Sequence, residues 1–303
     1  MIELHAMPGN ADTAARLVRA MGEAARKIDV DVHAFPDGEN LVRVQPPAAG
    51  AEVALVCSLH PPDAVTVPLL MAADTLRELG ARRVGLVAPY LAYMRQDRRF
   101  EPGQAISARI YAALLSAHFD WLVSVDPHLH RIHNLDEVYT LRSRVVHAAP
   151  ALAAWIREHV ERPVIVGPDG ESGQWARDVA ERVDAPVAVM QKVRLGDTHV
   201  RASMPQIQDY LDHTPVLLDD IISSGRTLVA ATEHLHDLGA PAPVCVAVHG
   251  LMAGDAYEVI EKAGVQRVVC SNTLRGKCNV IDVSQAIAAG VREMLAPPGA
   301  SSA

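Results

Sequence analysis

Residues 215–228 read "PVLLDDIISSGRTL": an apolar run ends in two adjacent carboxylates, Asp219 and Asp220, then passes through Ser223, Ser224 and Gly225 into a helical pattern. A buried strand that surfaces in charge, a short loop of small residues and a helix form the repeating unit of open parallel sheets. Backbone N–H groups at a helix start, with hydroxyls beside them and a glycine allowing close approach, suit a phosphate. Carboxylates a few residues upstream would repel that phosphate at contact distance. They can instead accept hydrogen bonds from sugar hydroxyls one ribose-length away, so the combination points to a sugar phosphate. An N-capped helix after an acidic strand end is the blander account. It leaves two consecutive carboxylates on an apolar strand unexplained.

Working outward, the same unit recurs. Short β-branched runs at 53–59, 83–90, 121–126, 163–169, 185–190, 215–220, 243–250 and 266–271 read as strands. Longer segments between them carry apolar residues three and four apart and close on glycine, as amphipathic helices do. Near-continuous apolar strands separated by helices predict an α/β fold with parallel sheets covered on both faces. The pattern runs twice, which predicts one domain over 1–147, a second over 148–295 with a last helix near 283–295, and a frayed tail at 296–303. "IELHA", "VDVHAF" and "NLVRV" in the first 45 residues predict a few antiparallel strands. Ligands of open parallel sheets bind beyond the carboxyl ends of the strands, so the loops there are the places to search.

Composition limits the function. The 303 residues are half hydrophobic and 21% charged, which is globular. A net charge of −8 opposes general affinity for nucleic acid, which needs a basic surface to displace counterions. Cys57, Cys245, Cys270 and Cys278 have neither CxxC pairing nor zinc-ligand spacing and read as small reduced hydrophobes. No apolar run approaches the roughly 20 residues of a membrane span, and no signal peptide is legible. The expectation is a soluble cytoplasmic protein. A GxxxxGK[ST] phosphate loop is absent, which argues against a Walker-type ATP site.

Several segments carry a more specific resemblance. "LLDDIISSGRT" resembles the ribose-phosphate loop shared by phosphoribosyltransferases and ribose-phosphate pyrophosphokinases. "FPDGENLVRV" (35–44), "PYLAYMRQDRRFEPGQAISAR" (89–109), "VDPHLH" (125–130), "GPDGESGQWAR" (167–177), "KVR" (192–194) and "AVHGLMAG" (247–254) resemble successive signature blocks of the pyrophosphokinases, in the same order. The resemblance spans nearly the whole chain. It implies two similar phosphoribosyltransferase-like domains, each a mostly parallel sheet flanked by helices. It also implies transfer of the diphosphoryl group of ATP to C1 of ribose 5-phosphate, with Mg2+ as the metal.

Residue roles follow from the same resemblance. Arg95 and Gln96 contact ATP and Asp97 orients them; alone, "MRQDRR" would read as a solvated charged loop. Phe35, Asp37 and Glu39 complete the adenine pocket from a neighbouring subunit, implying a homo-oligomer; alone, "FPDGE" would read as a hairpin turn. His128 and Asp169 hold magnesium-ATP, with His128 acting through water or a phosphate, since magnesium prefers oxygen. Lys192 and Arg194 stabilise charge on the transferring phosphates. Asp219, Asp220, Ser223, Ser224, Gly225, Arg226 and Thr227 hold ribose 5-phosphate. The chain departs from the family pattern at Ser223-Ser224, where Asp-Thr is usual, and at Glu171-Ser172, where a glycine pair is usual. Two alternatives stay open: a phosphoribosyltransferase, which the ribose-phosphate loop alone does not exclude, and a catalytically silent regulatory homologue, which the departures at Glu171 and Ser223 keep open.

Overall fold

The computed structural model describes residues 1–167, 173–194, 200–203 and 205–297, with the backbone course alone for 173–174, 191–194, 200–203 and 205–206. The first half runs β1 (Ile2–Ala6), α1 (Ala11–Met21), β2 (Ala25–Asp29), β3 (Asp31–Ala34), β4 (Asn40–Arg43), β5 (Glu52–Val56), α2 (Pro62–Glu78), β6 (Arg83–Ala88), α3 (Ser107–His118), β7 (Trp121–Val125) and β8 (Arg142–Val146). It continues with α4 (Ala149–His159), β9 (Pro163–Gly167), α5 (Gly173–Val183), β10 (Val187–Val189), β11 (Gln191–Arg194) and β12 (Val200–Ser203). Then come β13 (Thr214–Ile222), α6 (Arg226–Asp237), β14 (Val244–Gly250), α7 (Ala256–Lys262), β15 (Arg267–Ser271), β16 (Asn279–Ile281) and α8 (Ser284–Leu295). Two compact units result: Met1–His147 together with the chain from Val283 on, and Ala148–Asp282.

The first unit is built on a six-stranded sheet in the order β2-β1-β5-β6-β7-β8, parallel throughout. Its central strands are apolar on both faces: Val53, Leu55, Leu86, Val87, Leu122 and Val123 are all fully buried. Residues of both parities need covering, which the flanking helices supply. Gly85 of β6 lies in register with Trp121 of β7, and a Cβ there would come within 2.0 Å of the indole. Only glycine leaves room for that buried ring.

The sequence reading of "IELHA" as antiparallel is corrected. β1 lies inside the parallel sheet, between β2 and β5. Glu3 and His5 alternate with apolar residues along it, yet both are buried. Their partners explain it: the Glu3 carboxylate accepts Arg26 Nη2 at 2.5 Å and the Ala48 amide at 3.2 Å, and His5 Nε2 lies 3.3 Å from its other oxygen. "VDVHAF" and "NLVRV" do pair as an antiparallel hairpin, β3 with β4.

The second unit repeats the plan, a six-stranded sheet in the order β10-β9-β13-β14-β15-β16 with parallel neighbours. Val164, Val166, Leu217, Cys245, Ala247, Leu228, Ala231 and Ile260 belong to its core. β11 and β12 form a separate antiparallel pair.

The expectation that 148–295 forms one domain is also corrected, because α8 belongs to the first unit. Arg142 of β8 donates to the Glu293 and Met294 carbonyls at 3.0 and 3.4 Å, and Arg292 donates to the Ala20 carbonyl at 2.6 Å. Gly290 sits so close to the sheet that a Cβ would meet Val146 at 2.8 Å and Val123 at 3.1 Å. A helix with buried Ile287, Ala288 and Val291 and a glycine at the contact point packs on β7 and β8. Sequence order alone had assigned it to the half it follows. Of the expected tail, residues 298–303 lie outside the described residues.

Candidate active site

In the second unit, β13 carries the two carboxylates on through Ile221 to a buried Ile222, two residues further than the sequence suggested. Asp219 and Asp220 are half-buried near the carboxyl end of the strand, and Asp219 Oδ1 accepts the Asp220 amide at 2.9 Å. Behind them, burial pushes the Cys245 thiol up to about 12, and the nearby Asp219 charge adds to the effect. That cysteine is a packing residue rather than a nucleophile.

The loop that follows is fixed from the neighbouring strand. Leu251 and Met252 amides donate to the Ile222 carbonyl at 2.9 and 3.2 Å, and the Ala253 amide donates to the Ser223 carbonyl at 3.0 Å. Gly225 is the N-cap of α6 and adopts a left-handed conformation with φ 73°. A Cβ there would lie 2.7 Å from Ile260 Cδ1 and 2.8 Å from Cγ1 on α7. Glycine is therefore required twice, by backbone angle and by space. It has no side chain to offer the first-turn amides of α6, whose N–H groups lack intrahelical partners. Ser223 is half-buried, and Ser224, Arg226 and Thr227 are exposed beside that helix end. The arrangement can take an anion on the amides while carboxylates stand at the strand end.

Lys192 and Arg194 occupy alternate positions of β11, in register with Ala202 and Val200 of β12. This pair of strands is not among those expected from the sequence. Asp169, with Glu171 and Ser172, lies outside the described residues.

In the first unit, the expected nucleotide residues fall in three connections. Phe35, Asp37 and Glu39 occupy the turn joining β3 to β4. There the Phe35 amide donates to the Glu39 carbonyl at 2.8 Å and Asp37 Oδ1 accepts the Glu39 amide at 3.1 Å. Gly38 supplies the φ of 94° that this turn needs. Phe35 is 40% exposed.

Arg95, Gln96 and Asp97 follow β6. Gln104 organises this loop: its Oε1 accepts the Phe100 and Glu101 amides at 3.1 and 3.2 Å and Gln96 Nε2 at 3.2 Å, and its carbonyl accepts Arg99 Nε at 3.0 Å. Arg95 is exposed, whereas the Asp97 side chain is only 5% exposed and accepts Arg131 Nη1 on both oxygens, at 3.2 and 3.3 Å.

His128 sits in the loop after β7 with φ 55°, and Asp126 two residues earlier has φ 31°. Left-handed backbone at two residues other than glycine marks a loop whose shape its surroundings impose. Asp126 Oδ1 lies 2.7 Å from His147 Nδ1, and the His128 ring meets the His130 ring edge-to-face at 4.1 Å. Gln104 and Arg131 were missing from the sequence reading. Neither residue carries a pattern of its own; the one available signal was that Arg131 shares a post-strand loop with His128.

In the first unit Arg95, Gln96, Asp97 and His128 follow β6 and β7; in the second Asp219 and Asp220 close β13 and Gly225 opens α6, whereas Lys192 and Arg194 stand on the separate β11–β12 pair. Residues 2–118 match the family model of the N-terminal domain of ribose phosphate pyrophosphokinase, and residues 137–284 match that of the phosphoribosyl transferase domain. The ribose-phosphate pyrophosphokinase of Saccharolobus solfataricus is 35% identical over 271 residues, covering 86% of this chain and 91% of that protein. That of Halobacterium salinarum is 36% identical over 275 residues, covering 90% and 94%. The crystal structure of phosphoribosylpyrophosphate synthetase from Mycobacterium smegmatis has the same fold, with a TM-score of 0.84 at 24% identity over 97% of this chain and 98% of that one. Identity at this level along nine-tenths of the relatives' length, over both sheets, means that the chain belongs to the ribose-phosphate pyrophosphokinase family.

Proposed function

We propose that the protein transfers the β,γ-diphosphoryl group of ATP to the C1 hydroxyl of ribose 5-phosphate, giving 5-phosphoribosyl 1-diphosphate and AMP. The hydroxyl oxygen attacks the β-phosphorus in line and loses its proton. The bond between the β-phosphorus and the α,β-bridging oxygen breaks, and AMP leaves with the electron pair. The observation that carries this reading is the sequence relationship to named pyrophosphokinases across both units at once. A phosphoribosyltransferase reading draws only on the phosphoribosyl transferase match over 137–284 and leaves the 2–118 match without a role.

Each residue set has a physical task. The first-turn amides of α6, with Ser223, Ser224, Gly225, Arg226 and Thr227, hold the 5-phosphate, and Asp219 and Asp220 accept the ribose hydroxyls. Arg95 offers its guanidinium to phosphate or adenine, Gln96 supplies an amide, and Asp97 fixes their loop. Lys192 and Arg194 neutralise charge that grows on the transferring phosphates, where preorganised cations contribute most. Phe35, Asp37 and Glu39 complete the adenine pocket of a neighbouring copy in a homo-oligomer, a role suited to an exposed hairpin tip.

Magnesium suits this donor set unevenly. The ion prefers hard oxygen ligands, whereas His128 offers nitrogen and is better placed to act through a water or phosphate oxygen. Asp169 is the remaining proposed ligand. When bound, the metal would neutralise charge on the phosphates and so ease attack on phosphorus. The proposed setting is the cytoplasm; no helix among the described residues is long and apolar enough to cross a membrane.

The test is AMP formation by purified protein given ATP, magnesium and ribose 5-phosphate. No AMP under these conditions would refute the reaction. Pyrophosphate release from 5-phosphoribosyl 1-diphosphate plus a nucleobase would replace it with the transferase reading, and ATP binding without turnover would favour a regulatory homologue.

A further inference from the structure

We infer that Arg131 is a positioning residue for the nucleotide side of the reaction proposed above, tying the Arg95–Asp97 loop to the His128 loop. The inference rests on that reading of the site. The two loops leave different strands, β6 and β7, and each holds residues assigned to ATP. A carboxylate as buried as Asp97 needs hydrogen-bond donors in place of the water it has lost. Arg131 supplies them from the other loop, with one nitrogen, Nη1, reaching both oxygens at 3.2 and 3.3 Å.

A second contact reinforces the first. The Arg131 guanidinium lies 5.8 Å from the centroid of the Phe100 ring, and Arg98 approaches the same ring at 4.9 Å. Both distances fall within cation–π range. Arg131 therefore holds the loop after β6 at two points, Asp97 and Phe100. Between and beyond them, Gln104 braces the loop from within by accepting the Phe100 and Glu101 amides and Gln96 Nε2. The division of labour follows: Gln104 sets the loop's own shape, and Arg131 sets where that shape stands relative to His128. Arg95 and Gln96 directly precede the tethered carboxylate, and His128 lies three residues before the tether.

Loss of the tether should weaken ATP binding, which needs both loops, without touching ribose 5-phosphate, whose residues belong to the other unit. The experiment measures steady-state AMP formation, direct titration with magnesium-ATP, and melting midpoints. It compares wild type, Arg131→Ala, Arg131→Lys, Asp97→Asn and the double variant that combines Arg131→Ala with Asp97→Asn. For Arg131→Ala, the expected result is a rise of about tenfold in both KM and Kd for magnesium-ATP, with kcat within about threefold and the KM for ribose 5-phosphate unchanged. Arg131→Lys should recover most of the loss, because a single nitrogen meets both carboxylate oxygens. The double variant should be no worse than Asp97→Asn alone.

Three results would overturn the inference: unaltered ATP parameters, an equal rise in KM for both substrates, or additive losses in the double variant. Wild-type protein that binds magnesium-ATP without forming AMP would refute the assigned reaction, leaving the Kd series to decide on Arg131. Wild-type protein that binds no magnesium-ATP would overturn both.

Discussion

Gly225 shows how much a single position can carry. A side chain there faces a left-handed backbone and an Ile260 methyl group 2.7 Å from its Cβ. Gly225→Ala should lower stability by about 1–3 kcal/mol through overpacking and strain. It should also raise the KM for ribose 5-phosphate at least about tenfold, because the first turn of α6 has to shift with it. Thermal melts and initial rates at varied ribose 5-phosphate check both parts. Lys192→Ala tests the proposed charge stabilisation separately: kcat should fall by about 100-fold or more with modest changes in KM. An unchanged kcat would remove β11 from the mechanism. The glycine, the two carboxylates and the serines were legible in the sequence because they stand together in one short stretch. Arg131 and Gln104 were not, since their importance lies in partners that the fold supplies: a buried carboxylate for one and loop amides for the other.

At the scale of elements, the apolar runs identified most of the buried strands because their residues are hydrophobic on both faces. The strands that escaped notice are those whose polar residues are paired or exposed. β2 ("ARKID") and β8 ("RSRVV") lie at the edges of the first sheet and mix buried with exposed residues. β1 hides two titratable groups inside, and these make its stability sensitive to acid. Burial depresses the His5 pKa below its ordinary 6.5. Burial works to raise that of Glu3, but the Arg26 guanidinium, the Ala48 amide and His5 outweigh it and hold the carboxyl below its ordinary 4.5. Both groups thus favour the fold in their deprotonated forms. Their contribution is present in full above the ordinary histidine value and is lost as the pH falls, first through the range of His5 and then through that of Glu3. Melting midpoints recorded from about pH 8 down to pH 5 should fall for wild type and fall less steeply for His5→Gln; equal slopes would exclude His5 as a cause. Gly85→Ala offers a neutral comparison. Its Cβ would overlap the Trp121 indole, so a loss of about 3 kcal/mol or non-folding is expected at any pH.

On the scale of the whole molecule, the repeated α/β plan was legible from the rhythm of strands and helices, and the division of the chain was not. Periodicity reports which residues are buried, but not against which sheet. α8 looks like an ordinary closing helix of the second half until Gly290 is seen against Val123 and Val146. A chain ending at Asp282 should therefore lose stability in the first unit, seen as early exchange of β7 and β8 amides, while β13 and β14 keep their protection.

The first unit is discontinuous in sequence, and that imposes an order on biosynthesis. The strands of its sheet are made before Ala148–Asp282, and α8, which packs on β7 and β8, is made after it. The earlier-made sheet must wait, with the faces of β7 and β8 that α8 covers left open, until the chain has passed through the whole of the second unit. The first unit is thus begun before the second and finished after it.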